Sequence, residues 1–495
     1  MVLKSAEYDV AIVGAGNAAL TAALAAHNGG AKVVVLEWAP KELRGGNTYF
    51  TSGGFRVAYG SSKDVIAKVI PDITKAEMDA CVIPPYTNDN YYNTVMRLCK
   101  GRSNPELLEL IVRESLPTIL WMKDQGIKWE LNMAFSQKKD GKILFPANGM
   151  VFQTKGAGAG LSDRLFDIVQ QQGIELLYRT KATSLLVDGT GRVYGVGIRF
   201  AGEYREVKAK AVVLGCGGFE SSPEMRVKYL GKDWDIVKVR GTRFNTGHML
   251  NEALNIGAAP TGHFSACHNT FVDVNAPQPA IRKDAESTRR VYHPLCVLVN
   301  NQGKRFVDEG EDHSVYTYAR AGLWALSQPE AVAYQLFDAK TRNLLEGFYS
   351  IPQASRVESN SIEELEEELG LPSNSLVETV DRYNKGVLED VPFNPIVLDG
   401  KKSMMEPVKS NWAQKLDSPP YLAYPVTCGI TFTFGGVKIN LKGQVLEASG
   451  EVIPGLYACG EIVGGIFYYN YPGAGGLTNG AVLGKVAGAY AASGE

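Results

Sequence analysis

The first forty residues alternate apolar runs with a glycine-rich turn and a helical segment. Residues 8–13 (Tyr-Asp-Val-Ala-Ile-Val) form a mostly apolar run, which is typical of a buried parallel strand. Gly14 and Gly16 follow this run, and a helix is predicted over 17–28. A second apolar run ends at Glu37. The order predicts a strand–helix–strand unit with a glycine turn at the end of its first strand.

The turn between these runs carries the chemistry of a nucleotide site. Gly14 permits a tight turn, and Gly16 allows the backbone to approach a pyrophosphate, toward which the next helix points its N-terminal amides. Ala19 takes the third small position, where the helix packs on the strand. Glu37 lies at the spacing of an acid that binds a ribose hydroxyl. We predict a dinucleotide site, nicotinamide or flavin, and the alternative is a glycine-rich turn in an unrelated α/β fold.

A second glycine cluster lies near the end of the chain. It comprises residues 455–461 (Gly-Leu-Tyr-Ala-Cys-Gly-Glu) and residues 470–478 (Asn-Tyr-Pro-Gly-Ala-Gly-Gly-Leu-Thr). One cluster is enough to bind the adenosine end of a dinucleotide. Two clusters at opposite ends of one chain predict a site closed by both ends, which suits a large flavin.

The segments between the clusters show mixed periodicity. Apolar spacing predicts helical structure over 88–125, and residues 210–218 are predicted to be a buried strand ending in a glycine turn. Further strands are predicted at 174–178, 183–188 and 193–200. The acidic segment 361–369 is predicted to be a helix with a solvated face, and the Pro-, Lys- and Ser-rich segment 391–420 an exposed connector.

Composition narrows the class of protein. A chain of 495 residues is too long for one core, so two domains are expected. The net charge of −2 argues against a nucleic-acid partner, and no apolar run reaches the ~20 residues of a membrane span. The seven cysteines form no CxxC pair, so we expect reduced thiols, no metal site and a cytoplasmic location. We also expect no signal peptide, because the first strand begins almost at once.

Taken in order, these strings resemble the flavoprotein family of fumarate reductase and succinate dehydrogenase. The matching strings are GAGNAA at 14–19, Gly45-Gly-Asn-Thr, Gly53-Gly54, Gly191-Arg-Val-Tyr-Gly-Val, Leu214-Gly-Cys-Gly-Gly-Phe, Asn245-Thr-Gly247, Asn300-Asn-Gln-Gly-Lys-Arg305-Phe, Gly435-Gly436-Val and 453–461. Within the family, other strings resemble the tricarballylate dehydrogenase branch. These are Arg44-Gly-Gly-Asn, Val239-Arg-Gly-Thr242, Val307-Asp-Glu-Gly310, Tyr316-Thr-Tyr-Ala319, 429–435 and 470–473.

The resemblance implies an α/β fold with FAD as the cofactor. A Rossmann-like FAD-binding domain is expected from residues 1–261 and 426–495, with an α+β capping domain inserted at 262–425 and the active site between the two. The implied FAD-binding residues are Gly14, Gly16, Asn17, Ala18, Glu37, Trp38, Arg44, Gly45, Gly46, Asn47, Thr48, Ser52, Gly53, Gly54, Ala182, Gly217, Gly218, Glu461, Gly475, Gly476, Leu477 and Thr478. Members that bind FAD covalently have a histidine where this chain has Asn47, so non-covalent binding is expected.

Each of these residues has an implied place along the cofactor. Gly14, Gly16 and Glu37 would serve the adenosine diphosphate half, and residues 44–48 would run past the pyrophosphate toward the flavin ring. Ala182 would contact adenine through its backbone. Gly217, Gly218 and Glu461 would lie beside the ribityl chain, and the helix opened by residues 475–477 would face flavin N1 and O2.

The substrate residues of fumarate reductases are largely replaced. Cys267-His268-Asn-Thr270 keeps the first histidine of their His-Pro-Thr string, and the acid arginine aligns with His313. The second histidine, the last arginine and the relay carboxylate align with Phe432, Tyr471 and Arg289. The resemblance therefore argues against fumarate or succinate as substrate.

What remains is two-electron chemistry at a carbon–carbon bond, with a hydride exchanged at flavin N5 and a proton moved by a group of the cap. The candidate catalytic residues are His268, His313, Arg240, Arg305, Tyr316 and Tyr318. Histidine and tyrosine would carry the proton, and arginine would bind a carboxylate. The alternative for each is a structural or surface role, above all for Arg305, whose string runs through the whole family.

The branch resemblance implies oxidation of tricarballylate to cis-aconitate, with a separate electron-transfer partner. Three alternatives stay open at this point. They are a 3-ketosteroid dehydrogenase-like enzyme, a biosynthetic ene-reductase that runs in the opposite direction, and a flavin-binding structural or sensor protein without catalysis.

Overall fold

The computed structural model describes residues 7–60, 62–134, 136–284, 287–345 and 347–494. The α-helices in chain order are α1 Asn17–Asn28, α2 Ser62–Val69, α3 Lys75–Ala80, α4 Asn88–Leu98, α5 Pro105–Gln125, α6 Ala157–Gln171, α7 Pro223–Leu230, α8 His248–Asn255, α9 Ser314–Leu326, α10 Ala339–Arg342, α11 Ile362–Glu368, α12 Ser375–Lys385 and α13 Gly475–Ser493. The β-strands are β1 Tyr8–Val13, β2 Val33–Leu36, β3 Gly54–Phe55, β4 Cys81–Val82, β5 Trp129–Leu131, β6 Gln137–Lys139, β7 Lys142–Leu144, β8 Phe152–Thr154, β9 Glu175–Leu177, β10 Thr180–Val187, β11 Val193–Phe200, β12 Glu203–Leu214, β13 Lys238–Val239, β14 Pro260–Asp273, β15 Val297–Asn300, β16 Ala333–Phe337, β17 Val357–Ser359, β18 Tyr421–Val437, β19 Gln444–Leu446 and β20 Val452–Ala458.

The chain divides into two units. The first unit comprises residues 1–232, 241–267 and 432–495, and the second comprises residues 233–240 and 268–431. Strands β14 and β18 contribute residues to both. The predicted domain boundaries at 261/262 and 425/426 stay predictions, and their outer ends, residues 1–6 and 495, lie outside the described residues.

The first unit is built on a mixed sheet in the order β10-β11-β12-β1-β2-β9. Strands β12, β1, β2 and β9 are parallel neighbours, and β20 pairs parallel with β12. The carboxyl ends of these parallel strands meet at one edge. There Gly14 has a φ of +97°, and a Cβ at this position would lie 2.6 Å from the Gly215 carbonyl oxygen. Two glycine turns thus pack backbone to backbone.

Helices α1 and α13 pack closely across one face of this sheet, because α13 carries glycines four residues apart. A Cβ at Gly484 would overlap the Ala18 carbonyl oxygen, and one at Gly488 would overlap that of Ala22. The helix backbones therefore approach closely, and α1 is buried along most of its length. This contact joins the first helix of the chain to its last.

The second unit has its own sheet, in the order β13-β18-β16-β15, with β17 also paired to β18. One apolar cluster on it joins Phe271, Leu298, Ala321, Phe337 and Tyr424. Helix α9 contributes to this cluster through Ala321 and Ala325. Since α9 also carries two of the candidate catalytic tyrosines, this packing fixes their positions.

Three predictions about these elements need correction. The helix predicted over 88–125 is interrupted at 99–104, where Gly101 has a φ of +73° and Asn104 caps the new helix. The acidic segment 361–369 is not wholly solvated, because Glu366 is 7% exposed and accepts hydrogen bonds from the Asn374 and Leu376 amides at 2.7 Å.

The predicted connector 391–420 is likewise not fully exposed. Within it Ser403, Lys409 and Trp412 are buried. The Trp412 indole donates to the carbonyls of Asn394 and Val397. The segment therefore folds on the second unit despite its polar composition.

We predict that Gly488→Ala lowers the free energy of unfolding by about 1–2 kcal/mol, although alanine favours a helix over glycine by up to ~1 kcal/mol. The reason is the overlap of the new Cβ with the Ala22 carbonyl. Chemical denaturation measures the change. Gly189→Ala, where no atom lies within 4 Å of the new Cβ, is the control. Equal stability of the two variants would contradict the α1–α13 contact.

Candidate functional site

The end of β1 and the start of α1 form an anion-binding geometry. The N-cap residue of α1 is Gly16, no side chain caps the helix, and its first turn contains no acid. A Cβ at Gly16 would lie 3.4 Å from Thr48 Oγ1. A helix N-terminus without a capping side chain, preceded by a glycine that lets the backbone approach, suits a pyrophosphate.

Residues from both ends of the chain meet here through Asn17. The Asn17 amide donates to Thr48 Oγ1 at 2.8 Å, and Asn17 Nδ2 donates to the Leu477 carbonyl at 2.9 Å. Helix α13 begins beside this contact, with Ala474 at a φ of +64° and no side-chain cap. Thr478 Oγ1 bridges to the backbone of Arg56. Two uncapped helix N-termini are thus tied together within the first unit.

Gly475 and Gly476 open α13. Ala18 of α1 packs against Gly480 and Gly484 of α13. Both glycines and Ala18 therefore lie where the sequence predicted, at or beside the two helix N-termini. Small residues are needed here because the helix backbones approach closely.

Glu37 ends β2 as a buried carboxyl. It is 6% exposed, and Oε1 accepts a hydrogen bond from the Ala39 amide at 2.7 Å. Burial raises the pKa of Glu37 to about 7, against the lowering effect of backbone amides at Ala39 and Ala15. A buried acid in this position suits a ribose hydroxyl, whose hydrogen bond would offset part of the desolvation.

The loop after Glu37 lies along the same edge. The Trp38 ring contacts the Phe244 ring edge-on and lies under Lys181 Nζ. Arg44 stacks on Phe166 and donates to the Tyr178 hydroxyl at 2.9 Å. In this conformation Arg44 is therefore anchored to the protein.

Several glycines of this loop require their small size. Gly45 and Gly46 have positive φ, and a Cβ at Gly45 would overlap Ser162. Gly53 has a φ of +71° and packs against Ala157, next to Ser52 and Gly54. Ala182 lies in β10 and is 6% exposed. Gly45 and Gly53 thus pack tightly against neighbouring residues, and the contacts of these loop residues and of Ala182 with FAD stay predictions.

The turns after β12 and β20 enclose side chains that the sequence did not reveal. A Cβ at Gly217 would overlap the Asn245 amide, and one at Gly218 would overlap Thr433 and Glu461. Glu220, two residues on, is fully buried and accepts hydrogen bonds from Asn245 and Asn47. The glycines therefore make room for a hydrogen-bonded network, and their place beside a ribityl chain stays a prediction. The sequence feature that could have revealed this network is the acidic residue Glu220 directly after Gly217-Gly218-Phe219.

Asn47 lies inside this network. Its Nδ2 donates to Glu220 Oε1 at 2.5 Å, and its Oδ1 accepts from the Thr242 amide at 2.8 Å. A carboxamide is not a nucleophile toward a flavin methyl group. The position that carries a histidine in covalent flavoproteins is here committed to two protein partners.

The first unit fits FAD on these observations. The N-terminus of α1 would supply amides for the phosphates and that of α13 amides for the flavin ring, while Glu37 would supply an acceptor for ribose and Glu461 a buried carboxyl for hydroxyl groups. Positive-φ glycines keep the backbone close on each side.

In the second unit, His268 lies with Tyr318 and Arg240. His268 on β14 is 3% exposed, and the Tyr318 ring on α9 contacts it edge-on at a centroid distance of 5.0 Å. Arg240 follows β13, and its Nη1 donates to Thr431 Oγ1 at 3.4 Å. Burial, together with the Arg240 charge, lowers the pKa of His268 well below its ordinary value. The imidazole is therefore neutral and next to a buried cation. Thr431 is a member that sequence reasoning missed.

Two further candidates, His313 and Tyr316, lie at or near the start of α9. His313 is the N-cap residue of α9 and packs against the Trp412 ring at 5.2 Å, and burial lowers its pKa. Tyr316 is two residues from Tyr318 on α9 and so points to a different face of the helix. A further histidine, His293, lies in a short helical turn at His293–Leu295. Its Nε2 forms a hydrogen bond with the Thr317 hydroxyl of α9 at 2.8 Å.

The structure argues against a catalytic role for Arg305. Its side chain and that of Glu309 are fully buried as an ion pair. The guanidinium also donates to the carbonyls of Met405, Pro407 and Val307. All five N–H groups have protein partners, so none is left for a substrate.

Phe432 and Tyr471 are neighbours in the first unit. At both positions a substrate residue of fumarate reductases is replaced. The Phe432 and Tyr471 rings stack at a centroid distance of 6.1 Å. Phe434 and Phe467 complete the group, which we call the aromatic cluster. Aromatic side chains thus occupy the two positions that align with a histidine and an arginine of fumarate reductases.

Comparison with known proteins identifies the family. A family model described as "FAD binding domain" matches residues 9–477. The chain belongs to this family. The predicted FAD cofactor is confirmed, non-covalent binding is consistent with the family, and the chain is an FAD-dependent oxidoreductase related to the fumarate reductase flavoproteins.

Curated relatives cover most of this flavoprotein. A fumarate reductase (cytochrome) of Shewanella frigidimarina is 28% identical over 493 residues, 98% of this chain and 77% of the relative. A 3-oxosteroid 1-dehydrogenase of Mycolicibacterium smegmatis is 26% identical over 555 aligned residues, 95% of this chain and 94% of the relative.

A solved structure confirms the α/β fold. The open conformation of a flavocytochrome c3 fumarate reductase matches with a TM-score of 0.74 at 24% identity, covering 99% of this chain and 79% of that one. In the described residues of the flavoprotein, no helix has the length and apolar character needed to cross a membrane.

We predict that Glu37→Gln weakens FAD binding roughly 10- to 100-fold, since a carboxylate accepts hydroxyl hydrogen bonds more strongly than an amide. With a pKa of about 7 the wild-type carboxyl is protonated at lower pH, so wild-type affinity falls as pH drops from 8 to 6. The variant shows no such dependence. Fluorescence titration of FAD measures both, with the exposed Glu42→Gln as control. An equal pH dependence in Glu37→Gln would exclude Glu37 from the site.

We predict that Arg305→Gln lowers the free energy of unfolding by about 3–5 kcal/mol, because Glu309 is left as an uncompensated buried charge. The visible spectrum of bound FAD stays unchanged. The exposed pair Lys385–Asp381 has the same four-residue spacing, and Lys385→Gln costs at most about 0.5 kcal/mol. A stable Arg305→Gln protein that has lost turnover would restore the catalytic interpretation.

Proposed function

We propose that this flavoprotein oxidises a CH–CH bond next to a carboxylate, with tricarballylate as substrate and cis-aconitate as product. The observation that carries the proposal is the group formed by Arg240, His268 and Tyr318 in the second unit, a buried cation beside a neutral imidazole and a phenol. The Arg44-Gly-Gly-Asn and Tyr316-Thr-Tyr-Ala319 strings support the choice of substrate.

Arg240 would bind a carboxylate of the substrate. Arg240 is 8% exposed, and its guanidinium donates to Thr431. The group is therefore preorganised and poorly solvated. A charge-assisted hydrogen bond is strong in such surroundings.

His268 would take the proton from the carbon next to that carboxylate. Its pKa is lowered by burial and by Arg240, and a bound carboxylate would offset the second cause. The imidazole therefore becomes a stronger base once substrate is present. Tyr318, in contact with the ring, would orient it. FAD, when bound, supplies the two-electron acceptor for the hydride that leaves the neighbouring carbon.

A separate electron-transfer partner would reoxidise the flavin. The described residues contain no group of three metal-ligating side chains that could form a second redox centre. Several relatives are named as reductases, so the direction of the reaction is part of the proposal.

A 3-ketosteroid dehydrogenase-like reaction is the second candidate. The aromatic cluster favours it, because four rings form an apolar surface suited to a flat, uncharged substrate. The 3-oxosteroid 1-dehydrogenase relative supports it as well.

Anaerobic bleaching of bound FAD tests the proposal. We expect bleaching by tricarballylate with formation of cis-aconitate, and a decrease in rate of at least about 100-fold in His268→Ala. Arg240→Gln would lower kcat as well as raise KM, since the carboxylate that Arg240 binds takes up negative charge when the neighbouring carbon loses its proton. His27→Ala, on α1, is the control.

Three outcomes would contradict it. Bleaching by a 3-ketosteroid but not by tricarballylate would favour the second candidate. Reoxidation of reduced FAD by cis-aconitate without any bleaching by tricarballylate would make the enzyme a reductase. Full turnover in His268→Ala would remove the proposed base.

A further inference from the structure

Two buried carboxyl groups meet at the sheet edge of the first unit. Glu220 is fully buried after the glycine turn of β12, and Glu461 is 8% exposed in the turn after β20. Strands β12 and β20 are parallel neighbours, with Leu214 paired to Ala458. Both turns therefore leave the sheet at the same place. A Cβ at Gly218, two residues before Glu220, would lie 2.3 Å from Glu461 Oε1, and each carboxyl group influences the pKa of the other.

Each carboxyl has one oxygen with protein donors. Glu220 Oε1 accepts from Asn47 Nδ2 at 2.5 Å and from Asn245 Nδ2 at 2.6 Å. Glu461 Oε1 accepts from the Thr433 amide at 2.7 Å and the Thr433 hydroxyl at 3.1 Å. Glu220 Oε2 is buried, and no described N–H group donates to it.

Two full negative charges in contact at this depth would be strongly unfavourable. Burial raises the pKa of both groups, and the neighbouring Glu220 raises that of Glu461 further. Arg226 donates to the Glu220 backbone carbonyl at 2.6 Å. The nearby Cys216 thiol is neutral, since burial raises its pKa to about 12. A proton between the two carboxyls supplies the missing donor.

We propose that Glu220 and Glu461 hold one proton between them, and that Glu220, held in this way, is a positioning residue for Asn47 in the FAD-binding loop. The O–H of one carboxyl donates to the other, and Oε1 of Glu220 stays free to accept from Asn47. Asn47 in turn accepts from the Thr242 amide. The second part rests on the proposed FAD role of Asn47, whereas the shared proton does not.

The direct test is infrared spectroscopy of the wild-type holoprotein above pH 8. There Glu37, with its pKa of about 7, is ionised. We expect a carbonyl band of a protonated carboxylic acid that disappears in Glu220→Gln. The glutamine keeps an oxygen for Asn47 and Asn245 and donates its N–H to Glu461, so no proton is needed.

Proton release on unfolding gives a second readout. The unfolded carboxyls lose the proton near their ordinary pKa, and the folded pair keeps it to higher pH. Stability therefore falls as pH rises from about 5 toward the raised pKa, with about one proton released on unfolding. Glu220→Gln reduces this release, whereas the exposed Glu451→Gln leaves it unchanged.

The positioning role is tested by FAD dissociation. Glu220→Gln retains FAD, while Glu220→Ala, which removes the acceptor of Asn47, raises the Kd for FAD about tenfold. Equal Kd values for wild type and Glu220→Ala would overturn the positioning role.

The absence of a protonated-carboxyl band in wild-type protein overturns the shared proton, even if Glu220→Gln does not fold. The shared proton is also overturned if the protonated-carboxyl band and the proton release on unfolding are both unchanged in Glu220→Gln. None of these readouts depends on the substrate, so a failure of the proposed reaction is distinguishable from a failure of this inference.

Discussion

The close contact between α1 and α13 is the constraint on which the first unit depends. Gly484 and Gly488 have no side chain at the contact, so the two helix backbones can approach. Asn17 then reaches the Leu477 carbonyl and fixes the starts of both helices relative to each other. An N-terminus of α1 alone is a phosphate site of modest strength. Two uncapped N-termini held in register, from opposite ends of the chain, define where a long cofactor must lie.

The same edge concentrates buried charge. Glu37, Glu220 and Glu461 are all buried there, and the pKa of each is raised by desolvation. Such groups are unfavourable for folding when they are ionised without partners, so a stable unit needs hydrogen bonds to each of them. Glu220 and Glu461 obtain these from Asn47, Asn245 and Thr433. Glu37 has a backbone donor at Ala39 and, in our interpretation, a ligand hydroxyl.

The sequence was informative where structure is local. The strand–glycine–helix unit at 8–28 and the helix opened by Gly475 follow from short-range rules on turns and helix starts. Long-range contacts were not accessible in this way. Nothing near Glu366 in the chain shows that it caps α12, and Arg305 could not be told from a substrate ligand until Glu309, Met405 and Pro407 were placed around it. Glu220 was missed because its partners, Asn47 and Glu461, lie far from it in sequence.

This difference explains why the cofactor is better determined than the substrate. FAD recognition uses backbone amides and glycines, whose sequence requirements are strict and readable. In our proposal, substrate recognition uses side chains on or next to β13, β14, α9 and β18 of the second unit, among them Arg240, His268 and Tyr318. A single replacement at any of them changes the chemistry while the fold stays the same. Relatives named for fumarate and for a 3-oxosteroid can therefore share this fold, and it is the pairing of Arg240 with a neutral His268 that leads us to propose an anionic substrate here.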